Sequence, residues 1–97
     1  MQVDGFGWDR GNRDKCQKHG VSIEEIESLF FGDARGGPDA RNSRQEQRFR
    51  AVGRTDKGRA LFVVFTMRRR GDGLLIRPIS ARYMHRKEIE AYEKEIS

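Results

Sequence analysis

A lysine and a histidine stand next to each other in the stretch Gln-Lys-His-Gly-Val-Ser, as Lys18 and His19. Histidine changes its protonation state near neutral pH and lysine is a compact cation, so the pair is suited to proton transfer or to contact with an anion. A structural reading fits equally well, because basic side chains in the last turn of a helix interact favourably with its dipole and bind its free carbonyls. Gly20 is typical of the residue that follows a helix. The local sequence leaves both readings open.

Glu46 and Arg48 are separated by one residue in a stretch that alternates in part like a β-strand. Side chains two positions apart on a strand point to the same side, so a carboxylate and a guanidinium would lie together there. They can act as a general base beside an anion-binding cation, or they can form an ordinary ion pair on a sheet face. Arg82, at the end of a later strand-like run, can bind an anion or hold the last helix in place.

Positive charge is concentrated in the middle of the chain. The 97 residues carry a formal net charge of +5, and the segment 35–82 contains 13 basic and 4 acidic residues. Arginine accounts for 15 of the 20 basic residues, and its planar fork binds phosphate and stacks on bases. This distribution favours a surface that faces a polyanion such as nucleic acid. The alternative is a well-solvated charged face.

Other features of the composition exclude several classes of protein. Cys16 is the single cysteine and cannot form an internal disulfide. One cysteine and two histidines at unhelpful spacing argue against a structural metal site, and no cofactor motif is apparent. Long apolar runs and a secretory leader are absent from the sequence, so we expect a soluble protein in a reducing cytoplasm with no membrane partner. The length predicts one domain over residues 1–97.

The periodicity predicts an α+β fold with two N-terminal helices, an antiparallel three- to four-stranded sheet and a C-terminal helix. Ser22 and Glu25 form a capping box before a strongly amphipathic segment, and Asp9 is a plausible cap for the helix before it. Pro78 has no N–H to donate, so its strand should lie at an edge or contain a bulge. The predicted helices span 10–19, 23–31 and 86–96, the predicted strands span 46–54, 60–66 and 74–81, and 32–43 is predicted to be a loop.

The stretches FGWD, KHGVSIEEIESLFFGD, EQRFRAVGRT, ALFVVFT, ISAR and RKEIEAYE occur in the order and spacing of one known family. With them the chain resembles the BrnT-like toxins of type II toxin–antitoxin systems over nearly its whole length. The resemblance implies a fold similar to that of the RelE-type toxins and metal-independent cleavage of RNA. It also implies a small cognate antitoxin as partner. Operator DNA, reached through the antitoxin complex, is a further candidate partner. Where the family usually begins its last helix with threonine, this chain has His85, and Glu88 keeps its half of the capping box.

The resemblance also implies a candidate site. In metal-independent cleavage the 2′-hydroxyl attacks the adjacent phosphorus, a base takes its proton, and cations stabilise the charge that develops on the phosphoryl oxygens. A non-catalytic module that binds nucleic acid or the antitoxin is the alternative, and a pure protein-interaction domain is a third reading. The catalytic candidates are Lys18, His19, Glu46, Arg48 and Arg82. The candidates for contact with RNA are Arg50, Arg54, Arg68, Arg69, Arg86 and Tyr92.

Overall fold

A computed structural model describes residues 3–32, 34–38 and 47–96. The fold is α+β, as predicted, and its described part contains three helices and one five-stranded sheet. The elements are β1 (Gly5–Phe6), α1 (Arg10–Gln17), α2 (Ile23–Phe31), β2 (Arg35–Pro38), β3 (Phe49–Arg54), β4 (Ala60–Arg70), β5 (Gly73–Tyr83) and α3 (Arg86–Ile96).

The sheet is larger than predicted and is mixed in direction. Its strand order is β1-β5-β4-β3-β2. The pairs among β2, β3, β4 and β5 are antiparallel, whereas β1 runs parallel to β5. The prediction of a wholly antiparallel sheet with three or four strands was therefore wrong. Both edge strands are too short to show a clear alternation of apolar and polar side chains, which is why periodicity underestimates the sheet.

Strand β2 lies within the segment predicted to be a loop. Its sequence is Arg-Gly-Gly-Pro, which is typical of a turn but is tolerated at a sheet edge. Gly36 pairs with Ala51, and a side chain at Gly36 would collide with the carbonyl oxygen of Arg50. Glycine here allows β2 and β3 to approach closely, so the residue that suggested a loop is required by the strand pairing.

The two long central strands extend beyond the predicted limits. Arg68, Arg69 and Arg70 pair with residues of β5 and so belong to β4, although the predicted strand ended at residue 66. The register between β4 and β5 shifts between Val64 and Phe65, opposite Pro78. The bulge predicted from this proline is therefore confirmed, and it lets a residue without an N–H occupy a central strand.

Helix α1 begins with a complete capping box and is joined directly to β5. Asp9 accepts a hydrogen bond from the backbone of Asn12 at 3.0 Å, and the Asn12 side chain accepts one from the backbone of Asp9 at 2.7 Å. The amide of buried Asn12 also donates to the Pro78 carbonyl at 2.9 Å. The predicted cap at Asp9 is confirmed, and the helix is held against the strand by the residue that completes the box.

Helices α1 and α2 cover one face of the sheet, which we call the inner face. Cys16 and Ile26, both at 0% exposure, pack in one apolar cluster with Leu61, Val63 and Ala81 of the sheet. Successive side chains of a strand point to opposite faces. Arg82, the neighbour of Ala81, therefore points to the opposite, outer face, and α3 lies on that side through its ion pair with Arg82.

Glu25 is a charged residue in the interior, with 3% of its surface exposed. Its carboxylate accepts hydrogen bonds from the Tyr83 hydroxyl at 2.7 Å and the Thr55 hydroxyl at 3.2 Å. The backbone N–H of Glu25 bonds to the Ser22 hydroxyl, so the cap of α2 is confirmed, but the carboxylate does not complete the capping box. It instead joins α2 to β5 and to the β3–β4 hairpin.

We expect Glu25→Gln to lower the free energy of unfolding by about 1–3 kcal/mol at pH 7, because it weakens two buried hydrogen bonds to a carboxylate. Urea unfolding measures this change. Glu24→Gln, at the exposed neighbouring position, is the control and should unfold like the wild type.

The pH dependence gives the same prediction a second readout. Burial alone would raise the pKa of Glu25, but the hydrogen bonds from Tyr83 and Thr55 outweigh it and hold the pKa below the usual 4.5. A carboxyl group whose pKa is lower in the folded than in the unfolded protein stabilises the fold. The stabilisation is complete at a pH above the pKa of the unfolded state and is lost as the pH falls through the pKa of the folded state. The difference between wild type and Glu25→Gln should therefore shrink below about pH 4.5. A difference independent of pH would contradict this account.

Candidate functional site

The outer face of the sheet carries a group of arginines. Arg50 and Arg54 lie on alternate positions of β3, and Arg82 lies opposite Phe62 in the β4–β5 pair. Arg68 follows Phe62 at even spacing along β4 and so shares its face. These side chains come from three neighbouring strands, and their common direction follows from the two-residue period of each strand.

A cleft of about 750 Å³ opens between this face and α3. Arg35 and Arg50 contribute its basic groups, and Glu88 and Glu95 contribute carboxylates. Its apolar lining includes Val52, Phe62, Met84 and Tyr92. An apolar floor with arginines along one side suits a planar, negatively charged ligand, because the ring can lie on the floor while guanidinium groups bind the anion.

Arg82 is held in one orientation by two contacts. Its guanidinium forms two parallel hydrogen bonds to the Glu88 carboxylate, at 2.7 and 2.9 Å. It also lies over the Phe62 ring, 4.6 Å from the ring centre. The hydrogen bond from Arg82 lowers the pKa of Glu88 to about 2, so this carboxylate is ionised throughout the neutral range and is a poor proton acceptor. The predicted role of Arg82 as a tether for the last helix is thus present in the structure.

Glu88 also begins the helix that it attaches. Its carboxylate accepts a hydrogen bond from the backbone N–H of His85 at 2.8 Å, as expected for the glutamate of a capping box. The half capping box predicted from the sequence is therefore confirmed. One side chain caps α3 and joins it to β5, so the start of the helix and its position on the sheet depend on the same carboxylate.

A second ion pair and one buried ring complete the attachment of α3. Arg54 contacts Glu93 at 3.5 Å, with side chains 44% and 56% exposed, which makes it a weak tether. Tyr92 is 6% exposed and lines the cleft, so packing is its main role in this conformation. Arg86 is 93% exposed and pairs with Glu90 along the helix surface at 3.4 Å. Both Arg54 and Arg86 remain accessible to a ligand.

Lys18 and His19 lie away from this cleft. They follow α1, which packs on the inner face, and their exposed side chains form no hydrogen bond or ion pair with the described residues. Only the backbone N–H of Lys18 takes part in the helix end, by bonding to the Lys15 carbonyl. The side chains therefore do not cap the helix, and the described contacts do not join them to Arg82.

The remaining candidates are distributed over three regions. Glu46 lies outside the described residues. Arg48 immediately precedes β3 and is half-buried. Arg69 alternates with Arg68 along β4 and therefore points to the inner face, whereas Arg68 points to the outer face. The predicted group of RNA contacts is thus divided between two sides of the sheet.

Arg35, Phe62 and Glu88 line the cleft but were not among the site residues predicted from the sequence. Arg35 was missed because its stretch was interpreted as a loop. Phe62 lies in a nearly continuous apolar run, in which periodicity cannot separate the two faces. For Glu88 a signal existed, since it was recognised as a capping residue, but only the folded chain shows that its carboxylate meets Arg82.

Two other residues with reactive or stacking side chains have structural roles. Burial raises the pKa of Cys16 to about 11, so this thiol remains protonated and inert, as expected for a small buried hydrophobic residue. Trp8 packs against the core and donates its Nε1–H to Glu27 at 2.9 Å. In the described part of the chain, no group of three or more histidine, cysteine, aspartate or glutamate residues is arranged to hold a metal ion.

A family model for the ribonuclease toxin BrnT of type II toxin–antitoxin systems matches residues 8–88. The match begins at Trp8 and ends at Glu88, so it includes strands β2 to β5, both inner helices and the start of α3, but not β1. The chain belongs to the BrnT toxin family. Membership indicates a ribonuclease toxin that acts on RNA and has an antitoxin protein as partner. A search of curated proteins found no match.

Across 3–32, 34–38 and 47–96, none of the helices of this BrnT-family chain has the length and apolar character needed to cross a membrane.

The family found by the comparison is the one that the sequence motifs resemble. The cleft on the outer face, at about 750 Å³, is larger than the groove of about 320 Å³ that Phe30, Phe49 and Phe65 line together with Arg35 and Arg50.

We expect Glu88→Gln to speed amide hydrogen exchange in α3 by roughly 5–30-fold, because it weakens the charged pair with Arg82 by about 1–2 kcal/mol. Exchange in β4 should not change. The control is Glu90→Gln, which removes only an exposed pair on the helix surface. Equal exchange in α3 of both variants would show that Glu88 does not hold the helix.

Proposed function

We propose that this BrnT-family chain is a metal-independent endoribonuclease that binds RNA in the outer-face cleft. In this proposal the 2′-hydroxyl attacks the adjacent phosphorus and the 5′-oxygen of the next nucleotide leaves. The observation that carries it is a cleft lined by Arg35, Arg50 and aromatic rings in a chain of this family. Arg82 adjoins this cleft through its contacts with two lining residues, Phe62 and Glu88. Arginine binds the non-bridging phosphoryl oxygens and stabilises the extra negative charge of the transition state.

Arg82 is the proposed principal contact of the scissile phosphate. Its guanidinium already forms the bidentate geometry that a phosphate would require, with the Glu88 carboxylate in the position of the anion. Binding of RNA then exchanges one anion for another at the same fork. The Phe62 ring beneath the guanidinium keeps its plane in place during the exchange.

Other basic residues are proposed to bind the flanking RNA. Arg50 is exposed on the outer face beside the cleft, and Arg54, Arg68 and Arg86 extend the positive surface around it. Such contacts position the backbone and are not specific for sequence. Phe62 and the accessible edge of Tyr92 offer rings against which an unpaired base can pack.

Glu46 is the proposed general base. Its support is the position in the sequence, two residues before Arg48, together with the unsuitability of Glu88, the cleft carboxylate that binds Arg82. Glu88 is committed to Arg82 and has a pKa of about 2. Lys18 and His19 are proposed to contact RNA that continues past the end of α1, where their side chains are exposed.

A cognate antitoxin is proposed to neutralise the toxin by restricting access to the cleft, in the cytoplasm where both meet RNA. The positive surface also suits contact with operator DNA when the pair is assembled. A module that binds nucleic acid without cleaving it remains the second candidate, since the same arginines would serve both functions. Cleavage and binding therefore have to be measured separately.

Arg82→Ala should reduce RNA cleavage by about 10²–10³-fold, because it removes a charged donor from the transition state. Cleavage of a labelled single-stranded RNA by purified protein in EDTA is the measurement. A separate reaction contains ribosomes in Mg²⁺ buffer without EDTA, because ribosomes need Mg²⁺ to stay assembled. Arg50→Ala, at an exposed position, should reduce cleavage through weaker binding. Arg13→Ala, an exposed arginine on α1, is the matched control and should cleave like the wild type.

The assay separates the two candidate functions. Binding of RNA that weakens steeply with salt but leads to no cleavage under either condition would favour the binding module. Cleavage that stops in EDTA would contradict the metal-independent mechanism. Because Arg82→Ala also releases α3, Arg82→Lys is included: it keeps a positive charge but loses the bidentate geometry, and should remain severely impaired.

The pH–rate profile tests the proposed base. With Glu46 as base, the rate should stay nearly constant from pH 8 down to about pH 5 and fall near the pKa of a carboxyl group. Glu46→Gln should lower the rate by about 10²–10⁴-fold, whereas His19→Gln should keep the profile. A rate that falls near pH 6.5 and loses this dependence in His19→Gln would assign the base to His19 instead.

A further inference from the structure

Five of the six phenylalanines form a continuous array at one end of the inner face. Phe49 stacks on Phe65 with 5.6 Å between ring centres, and Phe65 meets Phe30 edge-on at 5.1 Å. Phe6 continues the array, 5.8 Å from Phe30 and 6.0 Å from Phe31. The array crosses from β3 to β1 and ends on the last residue of α2.

The array is incompletely buried by the described residues. Phe31 is 82% exposed, and Phe6, Phe30, Phe49 and Phe65 are only half-buried. A groove of about 320 Å³ runs beside it, between the end of α2 and strands β2 and β3. Helix α2 ends at Phe31 and cannot cover the sheet beyond that point. A contiguous apolar surface of this kind in a small protein marks an interaction site.

The surroundings of this surface are basic. Arg35 lines the groove, and Arg69 points to the inner face from the same strand as Phe65. Two acidic groups on neighbouring elements are already engaged: Glu27 accepts a hydrogen bond from Trp8, and Asp4 accepts one from the backbone of Leu74. A segment with apolar side chains and acidic neighbours would complement both the rings and the arginines.

Strand β2 separates this groove from the RNA cleft. The groove and the cleft lie on opposite sides of the sheet and share four lining residues: Arg35, Gly36, Gly37 and Arg50. β2 is also an edge strand, so its edge away from β3 has no strand partner in the described sheet. A chain anchored on the phenylalanines needs to pass only this one narrow strand to reach the cleft.

We propose that the phenylalanine array and its groove are the anchoring site of an apolar, acidic segment of the cognate antitoxin. This inference rests on the proposed function for the existence of that partner, and adds where the antitoxin binds and what chemistry it presents. A second copy of the chain is disfavoured as occupant. A two-fold interface would bring Arg35 and Arg69 of both copies to the same small patch, where like charges repel.

The test measures binding of the antitoxin encoded beside this chain's gene, purified separately, to the wild type and to Phe31→Glu. The substitution changes an exposed side chain, so the fold should be retained, and circular dichroism checks this. Binding should weaken by at least about 10-fold, because a central aromatic contact is replaced by a charge that repels the acidic segment. Gln17→Glu adds the same charge on the exposed side of α1 and should bind normally.

RNA cleavage by the same variants, without antitoxin, keeps this inference separate from the proposed function. Phe31→Glu should cleave RNA as the wild type does but should resist inhibition by the antitoxin. Weaker antitoxin binding with no cleavage by either protein would support the docking site while the nuclease mechanism fails.

Three results would overturn the proposal. The first is equal antitoxin affinity of wild type and Phe31→Glu. The second is failure of the wild type to bind the antitoxin. The third is a wild-type dimer in analytical ultracentrifugation that Phe31→Glu dissociates, which would assign the surface to a second copy of the chain.

Discussion

The pairing of β4 with β3 on one side and β5 on the other is the constraint on which both surfaces of the molecule depend. It fixes the register of three strands, and the two-residue period of a strand then assigns each side chain to a face. Leu61 and Val63 enter the core while Phe62 supports Arg82 on the opposite side. A shift of the strand register by one residue would turn the arginines into the core and the apolar side chains to the outer face. Burial of the apolar face therefore also fixes which side chains lie on the outer face.

Two carboxylates attach the helices to this sheet, in different environments. Glu25 is buried, and hydrogen bonds from Tyr83 and Thr55 keep it charged in the interior. Glu88 lies at the surface, where the bidentate pair with Arg82 both starts α3 and positions it. Loss of a partner in the interior leaves a buried charge unsatisfied, whereas water can replace a partner at the surface. The contact of α3 with the sheet is thus the more readily exchanged of the two, which suits the RNA site proposed there.

Local signals predicted the local features of the fold well. The capping residues Asp9 and Ser22, the limits of α2 and the bulge at Pro78 each depend on neighbours in the chain or on the chemistry of one residue type. The short strand β2 could not be predicted in the same way. Its glycines favour a turn until the carbonyl of Arg50 lies against Gly36, and that contact exists only when the sheet has formed.

By itself the sequence determined the α+β class, the family and the arginine-rich character of the segment 35–82, because composition, periodicity and motif order are properties of the chain alone. Only the tertiary structure decided which of those arginines share a surface. It separated Arg69 from Arg68, united Arg35 with Arg50 in one cleft, and paired Arg82 with Glu88 of the cleft lining. The physical reason is that a guanidinium's direction and partners follow from strand register and helix packing, which join residues distant in the chain.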